Sequence, residues 1–390
     1  MSDKFRIQVL NHLSARGLRR LPWDRFSVSA DVTDPHAILL RSADLHSRPI
    51  PDSVLAVGRA GSGTNNIPVD ALSARGVPVF SAPGANANAV KELVLAGMLL
   101  AARNIDRALP YVTAQSADDP ELESRIEAGK KAYVGYELAG HTLGVVGLGK
   151  IGCLVADAAI KLGMDVIGYD PEITVEAAWS LPASVRKAHD LGDLLRHSNF
   201  VTLHVPLVDA TRAMIDAGAL SQLKRGAVLL NFSRGGVVDD AAVLEALGEG
   251  QLSRYVCDFP SPELVGRPGV VLLPHLGAST GEAEQNCAVM AADQVRDYLL
   301  DGTLKNAVNF PDVELPRESR WRIAVANANV PNMVGQISTS LASARINIAD
   351  LLNKSRGEYA YTLIDTDTAV SEGVLKQIRG ISGVLSARIV

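Results

Sequence analysis

The sequence predicts an α/β protein: two doubly wound lobes with parallel sheets, then a small C-terminal ferredoxin-like βαββαβ module. Three observations carry this. Short β-rich runs alternate with helical ones through most of the chain, the pattern of a parallel sheet with helices on its faces. The alternation restarts at 141–152, HTLGVVGLGKIG, where Gly147, Gly149 and Gly152 form a G-x-G-x-x-G turn between a strand and an apolar helix. The segment 321–390 then reads strand, helix, strand, strand, helix, strand. A chain of 390 residues has room for two to three domains. The expected division is 1–103 with 283–310 as one lobe, 104–282 as the second, 311–320 as a linker and 321–390 as the module.

Taken in order, FRIQVL, AILLRS, LAVGRAG and VPVFSA are strand candidates, with helices expected over 11–20 and 67–75. Two glycine-containing loops stand at strand ends, RAGSG from Arg59 and PGAN from Pro83. Ligands in open α/β sheets lie beyond such ends. Exposed amides with Arg59 suit an anion there, though a solvated surface loop fits equally well. A helical stretch follows over 91–129, broken by the loop ADDP at 117–120, and then the adjacent Lys130 and Lys131, a pair that is ordinarily solvated surface.

The second run of strands is TLGVVG, DVIGYD, FVTLHV, AVLLNF, RYVCDF and VVLLPH. At its glycine turn, Gly147 permits the tight bend, Gly149 lets backbone approach a pyrophosphate, and Gly152 lets the helix over about 153–162 pack on its strand. The helix N-terminus points free amides and partial positive charge at phosphates. Asp170 ends the next strand, where a carboxylate accepts from an adenosine ribose and repels a 2′-phosphate, so NAD is favoured over NADP. Both lobes are therefore expected to be Rossmann-like or flavodoxin-like. A long helix over 282–300 is expected to return to the first lobe.

Composition narrows the class. A net charge of −5 speaks against a general nucleic-acid binder while leaving room for a local cationic pocket. The N-terminus, MSDKFRIQVL, lacks a secretory apolar core, and the most apolar helix, 89–102, carries Lys91 and Glu92 and is too short for a bilayer. Cys153, Cys257 and Cys287 form no C-x-x-C pair or metal-ligand spacing, so no metal is expected and they read as small core residues in a reducing cytoplasm.

Four successive strands place polar residues at the edge that carries the glycine turn: His204-Val205-Pro206, Ser233-Arg234-Gly235-Gly236, Asp258, and His275-Leu276-Gly277. That concentration points to a site. Hydride transfer from an alcohol to nicotinamide requires a base for the hydroxyl proton, a cation for a carboxylate, and a group that tunes the base. Of eight histidines, His12, His36, His46, His141, His189 and His197 lie in polar or irregular stretches, and only His204 and His275 end strands on the ligand edge. His204 reads better as a structural or cofactor-contacting residue. Arg234, followed by glycines, can reach a bound anion with a fork of donors. Glu263, in the loop after Asp258, either raises the pKa of a neighbouring histidine or is plain loop solvation.

The region 55–309 resembles the D-isomer-specific 2-hydroxyacid dehydrogenases. The matching segments are GRAGSGTNNI, GANANAVKELV, GVVGLGKIG, IGYDP, LHVPL, NFSRGGVVDD, CDFPSPE and LLPHLGAST. The whole chain is similar to the short form of the family with one C-terminal ACT domain. The resemblance implies NAD-dependent oxidation of D-3-phosphoglycerate to 3-phosphohydroxypyruvate in serine biosynthesis. Relatives acting on glyoxylate, hydroxypyruvate or 2-oxoglutarate, or a dinucleotide-sensing binding protein on the same scaffold, stand as alternatives. It implies a catalytic trio of Arg234, Glu263 and His275. Cofactor contacts would come from Gly147, Gly149, Lys150, Ile151, Gly152, Asp170, His204, Val205, Pro206, Phe232, Ser233, Arg234, Asp258, His275 and Gly277. Substrate contacts would come from Arg59, Ser62, Gly63, Asn86, Asn88, Lys130 and Lys131, the lysines near the substrate phosphate. It also implies an L-serine effector at Asn327, Asn329 and Asn347, and a homodimer or homotetramer, with no nucleic-acid or membrane partner.

Overall fold

A computed structural model describes residues 4–390. Positions 1–3 of the N-terminal segment, part of the stretch read above for a secretory core, lie outside the described residues. The chain divides into two compact units, Met1–Asn86 with Gly281–Val390, and Ala87–Thr280.

In the first unit, β1 (Phe5–Leu10), α1 (Ala15–Leu18), β2 (Phe26–Ser29), β3 (Ala37–Leu40), β4 (Ala56–Arg59), α2 (Val69–Ala74) and β5 (Val79–Phe80) build a parallel sheet of order β2-β1-β3-β4-β5. One face buries Ile38, Leu40, Val57 and Val79 with Leu72 of α2. The other buries Ile7, Leu39, Ala56 and Phe80 against the long helix Gly281–Asp301, whose inward residues Ala288, Ala291, Ala292, Val295 and Leu299 recur at helical spacing. The helix expected over 11–20 shrinks to α1, because Asn11 takes a left-handed φ of 69° and Ser14 caps the helix start.

The second unit opens with α3 (Ala87–Arg103), α4 (Ile105–Thr113) and α5 (Leu122–Gly129), split at Asn104, whose φ is 50°, as well as at the expected loop. There follow β6 (Thr142–Val146), α6 (Lys150–Lys161), β7 (Asp165–Tyr169), α7 (Val175–Ser180), β8 (Arg186–Lys187), α8 (Leu191–His197), β9 (Phe200–Leu203), α9 (Ala217–Ser221), β10 (Ala227–Asn231), α10 (Asp240–Gly248), β11 (Leu252–Cys257) and β12 (Val270–Leu272). The sheet is parallel, of order β12-β11-β10-β9-β6-β7-β8. Chain order reverses at β6, whose neighbours are β7 and β9, so the switch point lies at the glycine turn. Helix α3, expected in the first lobe, instead belongs to this unit. Its Val90, Val94, Met98 and Ala101 share a core with Val155 and Ala159 of α6 and with Val145, Phe200 and Val228 of the sheet. Strands β2 and β8 were not among the expected strands.

The first unit resumes with α11 (Gly281–Asp301). The module β13 (Trp321–Ala328), α12 (Met333–Ser343), β14 (Ile348–Arg356), β15 (Tyr359–Thr366), α13 (Glu372–Arg379) and β16 (Val384–Ile389) has the expected βαββαβ order and an antiparallel sheet β14-β15-β13-β16. Its helices cover one face through Ile337, Leu341, Leu375 and Ile378. The other face puts Ala324, Ala326, Tyr361 and Leu363 into the core that holds Tyr298, Phe310 and Leu315. The segment expected as a linker, 311–320, is therefore packed. Val313 and Leu315 are buried, and Val313 bridges Leu304. Arg322, 1% exposed, makes a two-pronged pair with Asp365, Nε to Oδ1 at 2.5 Å and a terminal amine to Oδ2 at 2.8 Å. Its other donors reach the carbonyls of Asp301, Leu315 and Pro316, stapling α11 and the connecting segment to the module.

The buried pair yields a stability prediction. Asp365→Ala strands the Arg322 guanidinium and should cost about 3–5 kcal/mol, read from urea denaturation, whereas replacing both partners by apolar residues should cost much less. Equal losses in the single and double variants would contradict this account.

Candidate active site

The carboxyl edge of the second sheet is shaped first by backbone constraints. Gly147 has a φ of 89°, and a Cβ there would lie 2.6 Å from the His204 carbonyl oxygen. A Cβ on Gly152 would lie 2.0 Å from the Gly147 carbonyl oxygen. The fold itself thus forbids side chains at both positions. Gly149 differs, since a Cβ there meets nothing within 4 Å. Its open space is what a closely bound pyrophosphate needs. Helix α6 begins at Lys150, inside the motif rather than after it, and Gly149 offers no side-chain cap. The first-turn amides of Lys150, Ile151 and Gly152 therefore face outward for an anion, and the residues present fit a dinucleotide.

Asp170 follows β7 and accepts from the Leu148 amide at 2.8 Å and from the Glu172 amide at 3.0 Å. Its carboxylate thus locks the glycine turn to the next strand end. His204 follows β9. Its Nε2 meets Thr202 Oγ1 at 3.0 Å, and its Nδ1 is sealed from water without a partner. Burial pushes the imidazole down to about 3. A group with so low a pKa is a weak base and a poor proton acceptor.

After β10, Asn231 arranges the turn that follows. Its amide donates to the Arg234 carbonyl at 2.8 Å, and its oxygen accepts from the Ser233 amide and hydroxyl at 3.1 and 2.9 Å. Phe232 and Ser233 are buried. The exposed Arg234 donates to the Ser233 carbonyl at 2.6 Å, and among the described residues no carboxylate pairs with it. Asn231 was missed by the sequence reading, although an asparagine ending a strand two residues before a serine is a turn signal.

Asp258, 1% exposed, follows β11 and accepts from the Leu276 amide at 2.7 Å and the Gly277 amide at 2.8 Å. This clamp holds the loop in which His275 takes a left-handed φ of 56°, a conformation that costs free energy for a residue other than glycine and that the clamp keeps in place. The exposed His275 ring lies 4.8 Å from that of Phe259, a neighbour that sequence spacing did not single out.

Glu263 is exposed. Among the described residues its carboxylate makes no hydrogen bond or ion pair with His275, so the pairing implied by motif is not formed here. Its charge instead acts on Asp240, whose carboxyl is held above the usual range chiefly by burial, with Ser261 opposing and Glu263 adding to the rise.

The remaining positions divide between the units. In the first, Arg59 ends β4 and donates to the Arg41 carbonyl at 3.1 Å, with Ser62 exposed, Gly63 half-buried, and Asn86 half-buried before α3. In the second, the expected substrate contact Asn88 spends its side chain on its own helix, donating to Glu92 at 2.8 Å and accepting from Lys91 at 2.6 Å. Lys130 is ion-paired with Glu127, which leaves the exposed Lys131 as the member of the pair able to meet a new anion.

Two predictions arise here. Gly149→Ala should leave the unliganded protein within about 0.5 kcal/mol of its stability while weakening NAD binding by about tenfold or more, whereas Gly152→Ala should destabilise the protein itself. Calorimetric titration and thermal melts separate the two, and a marked loss of stability in Gly149→Ala would refute the ligand-only reading. The second concerns pH. The folded His204 pKa lies near 3, below its ordinary 6.5, so the unfolded chain binds the extra proton between those values. The associated stability is present above 6.5 and is lost as pH falls toward 3. His204→Gln should flatten the stability–pH slope in that window, and an unchanged slope would exclude His204 as its source.

The model for "D-isomer specific 2-hydroxyacid dehydrogenase, NAD binding domain" matches residues 95–277. The chain is 32% identical to the D-3-phosphoglycerate dehydrogenase of Escherichia coli (strain K12), over 98% of this chain and 94% of that one. It is 30% identical to the enzyme of the same name from Haemophilus influenzae, again over 98% and 94%. The NAD+-bound 3-phosphoglycerate dehydrogenase of Entamoeba histolytica superposes with a TM-score of 0.60 over 78% of this chain and 99% of that one, and at 22% identity it shows the shared fold. The spacing of the glycine turn, the strand-end residues and these likenesses agree, and the chain belongs to the D-3-phosphoglycerate dehydrogenases of the D-isomer-specific 2-hydroxyacid dehydrogenase family.

Proposed function

We propose that the chain oxidises D-3-phosphoglycerate at C2 to 3-phosphohydroxypyruvate, the first step of phosphorylated serine synthesis, with Arg234 and His275 doing the chemistry. The observation that carries this reading is one sheet edge bearing the open Gly149 turn, a guanidinium with no carboxylate partner among the described residues, and an exposed imidazole on a clamped loop. Bound NAD supplies the hydride acceptor. Arg234 grips the substrate carboxylate with paired donors and fixes C2 in place. The His275 imidazole takes the hydroxyl proton as the alcohol becomes a ketone, and returns it in the reverse direction. Asp258 holds the His275 loop through the two amides it accepts from. Glu263 belongs to the trio by motif, and pairing with His275 requires the loop after β11 to carry its carboxylate there.

Lys131 is proposed to meet the substrate phosphate, with Arg59, Ser62, Gly63 and Asn86 as contacts from the first sheet's edge. The pairing of Lys130 with Glu127 lowers the local excess of positive charge, an observation that favours testing an unphosphorylated acid as the alternative. A panel of phosphoglycerate, hydroxypyruvate, glyoxylate and 2-oxoglutarate followed by NADH absorbance separates the two.

The C-terminal module is proposed as the ACT-type seat of an L-serine effector. Asn327 is 1% exposed with its Oδ1 unpartnered, Asn329 donates to the Gly357 carbonyl at 3.0 Å, and Asn347 is exposed. A homodimer or homotetramer is proposed on the apolar surface at Leu109, Val112 and Val134, which are 61%, 51% and 77% exposed. The cytoplasm is the proposed compartment, in keeping with three buried, unpaired cysteines. Among the described residues no helix is long and apolar enough to cross a membrane.

His275→Ala should lower kcat by about 10²–10⁴-fold with a far smaller change in the NAD dissociation constant. Arg234→Lys should raise KM by about tenfold or more, because an ammonium cannot form the paired contact. Wild-type turnover in His275→Ala would end the assignment.

A further inference from the structure

Within the first unit, a cavity of about 370 Å³ is lined by the C-terminal module on one side and by the segments before β4 and after α2 on the other. Three arginines and Asp52 are among its lining residues: Arg75, which caps the C-terminus of α2, Arg379 at the end of α13, and Arg388 on β16. We propose that this cavity binds a small multivalent anion bearing a phosphate group, bridging Arg75 of the sheet domain to Arg379 and Arg388 of the module.

The guanidinium groups are positioned in advance by backbone acceptors. Arg75 donates to the Ile50 and Pro51 carbonyls at 3.1 and 2.7 Å, and Arg379 to the Ala387 carbonyl at 2.8 Å. Arg388 lies 4.4 Å over the Tyr298 ring and donates to the Tyr298 and Leu299 carbonyls. These bonds leave N–H groups over, since a guanidinium carries five donors. The Nε of Arg388 is buried with no partner, a donor whose desolvation is uncompensated until something accepts from it. The compensating carboxylates are weak. Asp52 stands 3.6 Å from Arg75 with its side chain fully in water, and Glu372, paired with Arg379 at 2.6 Å, is 71% exposed. Three arginines from two remote parts of the chain thus line one space, with Asp52 the one carboxylate among the lining residues, and a phosphate's several oxygens suit donors from more than one of them.

The role is separate from the chemistry at the second sheet. The test titrates inorganic phosphate, and in parallel a simple phosphomonoester, into the NAD-saturated full-length protein at constant ionic strength. Chloride is the control, and calorimetry and thermal shift are the readouts. Saturable binding with a raised melting temperature is expected, weakened by about tenfold in both Arg75→Gln and Arg379→Gln, each losing one charge-assisted contact from a part-exposed position. Tighter binding of the monoester would identify a phosphate ester as the natural ligand, and tighter binding of phosphate the free ion. Absence of saturation beyond chloride, or binding that survives both substitutions and so belongs elsewhere, would overturn the proposal.

Discussion

The constraint on which the second unit depends is the contact between Gly152 and the carbonyl of Gly147. An added Cβ would sit 2.0 Å from that oxygen, so α6 can lie this close to β6 only because the position is glycine. Everything at the edge follows from the closeness. The turn is short, the helix starts at Lys150, and its unsatisfied amides arrive where chain order in the sheet reverses. A looser approach would leave the same residues present and the anion site dissolved in water. The distinction among the three glycines matters for the same reason. Two are demanded by the fold, and the third is demanded only by something the fold does not contain.

A second regularity is how the edge uses its polar groups. Asp170, Asn231 and Asp258 each end a strand, and each spends its oxygens on nearby backbone amides. Their charge and hydrogen bonding shape loops. Arg234 and His275, which pair with no carboxylate among the described residues, are the two proposed to meet an anionic substrate and a proton. Strand ends bonded to nearby backbone thereby hold the loops that carry both side chains, as a preorganised site requires. The neutrality of His204 belongs to the same design. A half-buried imidazole that meets Thr202 and stays neutral adds no positive charge to this edge.

What the sequence revealed and what it hid divide along physical lines. The strands of the second sheet are buried on both faces and read as continuous apolar runs, so their ends, and hence His204, Arg234, Asp258 and His275, were legible. Strand β8 is two exposed basic residues and carries no apolar signal. Helix α3 is apolar, but its stripe would suit either sheet, and only the complementary cluster around Val145 and Phe200 decides. The separation of Glu263 from His275 depends on the path of a loop between two strand ends, which residue spacing does not encode. Nor does spacing show that Asn88 and Lys130 find partners within their own segments.

The docking of the C-terminal module was hidden for a further reason. Arg322 sits in WRIAVANA as one charge in an apolar strand, and its partner Asp365 lies in another strand of the same sheet. A buried ion pair contributes little net stability against an apolar equivalent, because both charges must leave water. What it supplies is geometry. The guanidinium satisfies Asp365 and the carbonyls of Asp301, Leu315 and Pro316 in only one arrangement of sheet, helix α11 and connecting segment. A different docking would leave a buried charge or buried carbonyls unpaired, a penalty of several kcal/mol. The apolar face with Tyr361 and Leu363 drives the module onto the sheet domain, and the ion pair selects which of many apolar contacts becomes the structure.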